Sequence, residues 1–123
     1  MSPVRAVTTQ KSGETPISTL VSLTRTALAL SQERFAGVIG VSVRTVARWE
    51  QGDEPSALER ERLEWIRDLV DIAQSIMEGD QVAAWFATPK IALEGRRPLD
   101  LVGTFRGLQQ VRGLLEATRW GTF

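Results

Sequence analysis

The stretch SQERFAGVIGVSVRTVARWEQG, residues Ser31 to Gly52, decides how the rest of the chain is read. It divides into two short helical segments around Gly40. Ser31 and Ser42 stand where an N-cap belongs, one ahead of each segment. Ala36 falls inside the first segment, Gly40 at the turn, and Val46 inside the second. Two helices that cross steeply tolerate only a small side chain at the crossing, which Ala36 supplies. The turn between them asks for a residue that takes positive φ at little cost, which glycine does. Phe35, Ile39, Val41, Val46 and Trp49 are apolar on the faces that would meet, whereas Gln32, Arg44, Thr45 and Arg48 are polar on the faces left outside. The expectation is a helix-turn-helix whose second helix enters the major groove of DNA. The bland alternative is an ordinary helical hairpin. An exposed arginine on that helix reads a guanine edge or merely holds a phosphate, and the residues alone leave both open.

Upstream, Ile17, Leu20, Val21, Leu23, Ala27 and Leu28 recur at helical spacing and predict a supporting helix. Residues 1–15 are polar and aperiodic, so they are expected to form a flexible tail, or else an arm whose Arg5 and Lys11 touch phosphate. Downstream, Asp53-Glu54-Pro55 reads as a short linker, and Ser56 with Glu59 matches the capping-box pattern. The helix that follows should run to about Met77, with Trp65, Ile66, Leu69, Val70, Ala73 and Ile76 on its apolar stripe, and break at Gly79-Asp80. A short helix is expected over 81–87. Thr88-Pro89 suggests an N-cap and a proline at the first helical position. Pro98 should open another short helix that Gly103 closes. A last helix is expected from Phe105 to Thr118, with Phe105, Leu108, Val111, Leu114 and Leu115 inward. No segment alternates with period two, so the fold class is all-α. The expected division is a tail (1–15), a helix-turn-helix bundle (16–55) and a small helical module for partner binding or dimerisation (56–123).

Composition removes whole classes of activity. The chain contains no cysteine and no histidine, so disulfides, thiolate metal sites and histidine-dependent catalysis are all excluded. No catalytic residue, metal site or cofactor is therefore assigned. No apolar run is long enough to span a membrane, and the first residues lack a secretory pattern, so a cytoplasmic protein is expected. The 15 basic and 15 acidic residues cancel, which is unusual for a DNA binder. Residues 56–80 hold seven acidic against three basic residues, and both ends are mildly basic. Since phosphate neutralisation supplies much of DNA affinity, a single copy should bind weakly, and a dimer or a partner is expected to strengthen binding.

The central stretch resembles the Xre (phage-repressor-like) family, whose pattern is Ser-Gln-x-x-φ-Ala-x-x-φ-Gly-Val-Ser followed by φ-x-x-Trp-Glu-x-Gly. Here those positions are Ser31, Gln32, Phe35, Ala36, Ile39, Gly40, Val41, Ser42, Val46, Trp49, Glu50 and Gly52. The resemblance implies that Gln32 bonds a phosphate at a helix N-terminus, that Ser42 touches the DNA backbone, and that Arg44, Thr45 and Arg48 face the groove. The string from Trp85 to Leu101 resembles the toxin-binding domain of Xre/MbcA/ParS-type antitoxins, matching at Trp85, Pro89, Leu93, Gly95, Pro98 and, further on, Gly121. Lys90 departs from it, because asparagine is usual there. This second resemblance implies a RES-domain, NAD-consuming toxin as partner, plugged by the C-terminal Arg119, Trp120, Gly121, Thr122 and Phe123. It further implies operator DNA as a second partner, a homodimer acting on a two-fold operator, and a toxin–antitoxin hetero-oligomer. The rival expectation is a stand-alone repressor with a C-terminal dimerisation domain, in which the last residues fray or Trp120 folds back on its own core.

Overall fold

Helix α1, Ile17–Ala27, turns Ile17, Leu20, Val21 and Thr24 inward at the predicted spacing and leaves Leu23 outside. The computed structural model describes residues 15–121, so the expectations for 1–14 and for Thr122 and Phe123 lie outside the described residues. Helix α2, Gln32–Ile39, begins at Ser31, whose hydroxyl accepts the Arg34 amide at 3.1 Å. It stops at Gly40, which sits in the left-handed region at φ 90°. Helix α3, Val43–Glu50, begins at Ser42, which accepts the Thr45 amide at 3.1 Å. Phe35, Ala36, Ile39, Val46 and Trp49 are buried together, and α3 packs on both α1 and α2. This is the helix-turn-helix expected from Ser31 to Gly52.

Helix α4, Ala57–Ile76, is the longest element and starts with the full capping box: Ser56 Oγ accepts the Glu59 amide at 3.1 Å, and the Glu59 carboxylate accepts the Ser56 amide at 3.0 Å. It packs on both α1 and the last helix. Helix α4 ends at Ile76 with an extended Met77 as its C-cap, ahead of the break expected at Gly79-Asp80, and those two residues instead open helix α5, Gly79–Ala87. Two 3-10 turns, Ile91–Leu93 and Pro98–Asp100, then lead to α6, Phe105–Trp120. Helices α4 and α6 run parallel: Trp65 stacks on Phe105 at 4.8 Å between ring centroids, and ten residues further on Ser75 meets Arg119. No strand occurs among the described residues. One core continues from Ile17 to Leu115 without a gap at residue 55 or 56.

Further local expectations need correcting: the turn that Pro98 opens ends at Asp100, capped by Leu101, and is not closed by Gly103. Thr88 is not an N-cap: it closes α5 in an extended conformation, as the residue before a proline is sterically pushed to do, and its hydroxyl donates to the Ala84 carbonyl at 2.6 Å. Phe105 is not inward either. It is 53% exposed and meets the Trp65 ring in a tilted contact.

Candidate functional site

The exposed side of α3 carries Arg44 and Arg48, with Thr45 half-buried between them. The Ser42 and Thr45 hydroxyls lie 3.0 Å apart at the helix N-terminus, so both are held beside the amides that an incoming phosphate oxygen would seek. Arg44 makes no ion pair among the described residues. Arg48 donates from Nε to Asp53 at 3.1 Å, an exposed pair that water already screens.

Gln32 is placed by a network between helices. Its Nε2 donates to Glu50 Oε1 at 2.6 Å. Arg25 donates to the same carboxylate from Nε at 2.8 Å and from Nη2 at 3.3 Å, and from Nη1 to the Leu30 carbonyl at 3.0 Å. Burial pushes the Glu50 carboxyl up, but the Arg25 and Gln32 hydrogen bonds and the guanidinium charge outweigh it, so its pKa lies below the ordinary value. The charge balance of this face therefore differs from what composition suggests. Glu50 is neutralised by Arg25, Asp53 by Arg48, and Glu54 by Arg60 at 2.5 Å. Arg25 and Glu50 are 25 residues apart, and no local pattern links them.

At the other end, Arg119 is tied down: Nη2 donates to Ser75 Oγ at 3.0 Å and Nη1 lies 3.5 Å from Glu116. Trp120 is 70% exposed and does not fold back on the core. Gly121 ends α6 in the left-handed region. Thr122 and Phe123, the remaining residues of the expected plug, are outside the described part. Leu93 and Leu101 are buried, while Trp85 is only half-buried, with Lys90 Nζ 4.6 Å from its ring centroid. Sequence reasoning passed over Ile91, which is 97% exposed on the first 3-10 turn. Its signal was the Pro89 to Gly95 turn pattern around it. Among the described residues, no group of acidic side chains is placed to hold a metal ion, and no helix is long and apolar enough to cross a membrane.

With this geometry in view, the comparisons with known proteins fall on the same two ends. Residues 73–121 match the family described as the antitoxin Xre/MbcA/ParS C-terminal toxin-binding domain, and residues 23–60 match a helix-turn-helix family. The chain is similar to the mycobacterial cidal antitoxin MbcA of Mycobacterium tuberculosis and of Mycobacterium bovis, at 33% identity over 99 residues, covering 78% of this chain and 85% of each relative. Its fold is similar to a chain in the crystal structure of the M. tuberculosis MbcT–MbcA toxin–antitoxin complex. That match has a TM-score of 0.73 and 31% identity, and covers 89% of this chain and 99% of the other.

Proposed function

The chain belongs to the Xre/MbcA/ParS family of antitoxins, and from that premise we propose that it neutralises a RES-domain, NAD-consuming toxin by occluding its active site and represses its own operon from a two-fold operator. It is an antitoxin of the type II class, in which one protein restrains another by direct binding. The observation that carries the occlusion reading is the end of α6: a well-formed helix delivers Trp120 into solvent at its last turn, and Arg119, locked to Ser75 and Glu116, fixes the direction of exit. An exposed aromatic at a fixed exit point suits an anchor for a partner's cleft, because burial on binding recovers a large apolar area. Operator binding is supported by Arg44 and Arg48 on one exposed face, by the capped N-terminus of α3, and by Gln32 held at the start of α2. Two copies on one operator would supply the phosphate contacts that a neutral chain lacks singly. Both tasks belong in the cytoplasm and need no cofactor.

The test is removal of residues 120–123. The shortened chain should still co-purify with the toxin, while NAD consumption by the complex resumes. Complete inhibition by the shortened chain would refute occlusion by the tail.

A further inference from the structure

A second apolar surface lies inside the matched toxin-binding segment, on a different side of α6 from Trp120. The turn Ile91–Leu93 is clamped: the Lys90 amide donates to the Arg96 carbonyl at 3.1 Å, the Gly95 amide donates to the Lys90 carbonyl at 2.8 Å, and Leu93 is buried beneath. Ile91 stands on the crest of this rigid turn, almost wholly in water. Beside it a shallow groove of about 600 Å³ is walled by Trp85, Pro89, Ala92, Leu114 and Thr118. Every one of these residues lies within 73–121, whereas the other apolar groove, under Trp65 and Phe105, takes part of its wall from residues before that segment. Thr118 and Trp120 are two residues apart on one helix, about 200° around its axis, so the groove and Trp120 face nearly opposite ways.

Lys90 is the one charged residue among those that line the groove. Arg96, Arg97, Arg112 and Arg119 each have a carboxylate of this chain within ion-pair distance. Lys90 has none among the described residues. Its ammonium rests over the Trp85 ring, and partial burial lowers its pKa. A half-buried cation without an anion, next to a solvated isoleucine on a stiff turn, is poorly satisfied in the isolated chain and well prepared for a partner that brings both an apolar side chain and an acid.

We propose that this groove is a second toxin-docking site, in which an apolar side chain of the toxin packs on Ile91 and Trp85 while a toxin carboxylate pairs with Lys90. The proposal rests on the antitoxin reading. It means that the toxin embraces the end of α6, held by its body at the groove and by its cleft at the tail. The tail then inhibits, and the groove supplies affinity.

The test uses the full chain and the RES-domain toxin of the same operon, with Kd measured by calorimetry. Ile91→Asp should weaken binding at least tenfold with an unchanged thermal melt, since the side chain is out in water. Lys90→Glu should weaken it at least tenfold and flatten its salt dependence. Removal of residues 120–123 should release toxin activity with a small loss of affinity, and combining it with Ile91→Asp should abolish the complex. In the wild-type complex, amides 90–93 should become protected from hydrogen exchange. If the wild-type chain binds and Ile91→Asp binds equally well, or amides 90–93 stay unprotected, the groove proposal is overturned and the antitoxin reading stands. If the wild-type chain does not bind the toxin at all, both are overturned.

Discussion

Replacing Glu50 by glutamine should test the network that ties the helix-turn-helix together. The native carboxylate accepts three hydrogen bonds, at 2.8 and 3.3 Å from Arg25 and at 2.6 Å from Gln32. A glutamine offers one carbonyl oxygen and one NH2, so at least one donor then faces another donor, and the charge assistance from Arg25 disappears. A hydrogen bond to a charged group contributes ~1.5–3 kcal/mol. Arg25 is 22% exposed, so water compensates in part, and the net loss should be about 2 kcal/mol. For a domain of this size that lowers Tm by roughly 6–10 °C. The pH dependence supplies the stricter check. The folded-state pKa of Glu50 is lowered, so its contribution is complete above the unfolded carboxylate pKa and is lost as pH falls through the folded value. The gap between wild type and Glu50→Gln should therefore be widest near pH 7, narrow below about pH 4, and close in stronger acid. Denaturant melts from pH 7 down to pH 2.5, with helicity followed by circular dichroism, would measure this. Equal stability at pH 7, or a gap that persists at the acid end, would show that the carboxylate is not held as described.

Other outcomes follow from the same face and from the core. Arg44→Ala should reduce the magnitude of the slope of log K against log salt by about 0.9 in operator binding if its contact is phosphate. An unchanged slope with relaxed sequence preference would instead assign it to a base edge. Asp53→Asn releases Arg48 from its 3.1 Å pair and removes a negative charge beside the exposed face of α3, so operator affinity in gel-shift titrations should rise a few-fold; a fall would mean that Asp53 orients Arg48 productively. Thr24 is fully buried in α1, and its hydroxyl has no hydrogen-bond partner among the described residues, so Thr24→Val should raise stability by about 1 kcal/mol in urea titrations.

The local grammar of the chain gave away most of the fold. Ser31, Ser42 and Ser56 all cap where their spacing places them, and most of the apolar stripes of α1 to α4 are buried as their period demands, Leu23 on α1 being left outside. Such features depend on neighbours within one or two turns, which is what periodicity can see. The region after Ala87 was harder because steric and tertiary effects compete there. Pro89 forces Thr88 out of helical geometry, and Phe105 finds its partner 40 residues away on α4. Within the candidate sites, Arg44, Arg48 and Trp120 were legible as exposed residues on recognisable elements. The pinning of Gln32 was not, since Arg25, Gln32 and Glu50 belong to three different helices. Ile91 escaped notice because an isoleucine in a short turn reads as core until burial is measured.

Helix α4 has its first residues within the helix-turn-helix match and its last within the toxin-binding match, with no interruption over 20 residues, about 30 Å of rod. The two ends are thus cast on a single beam and cannot swing independently. Any assembly that clamps one end of several copies dictates the angle and pitch at which the other ends are presented. Operator half-sites would then have to match that pitch in whole turns of the double helix, so inserting five base pairs between them should be far more damaging than inserting ten.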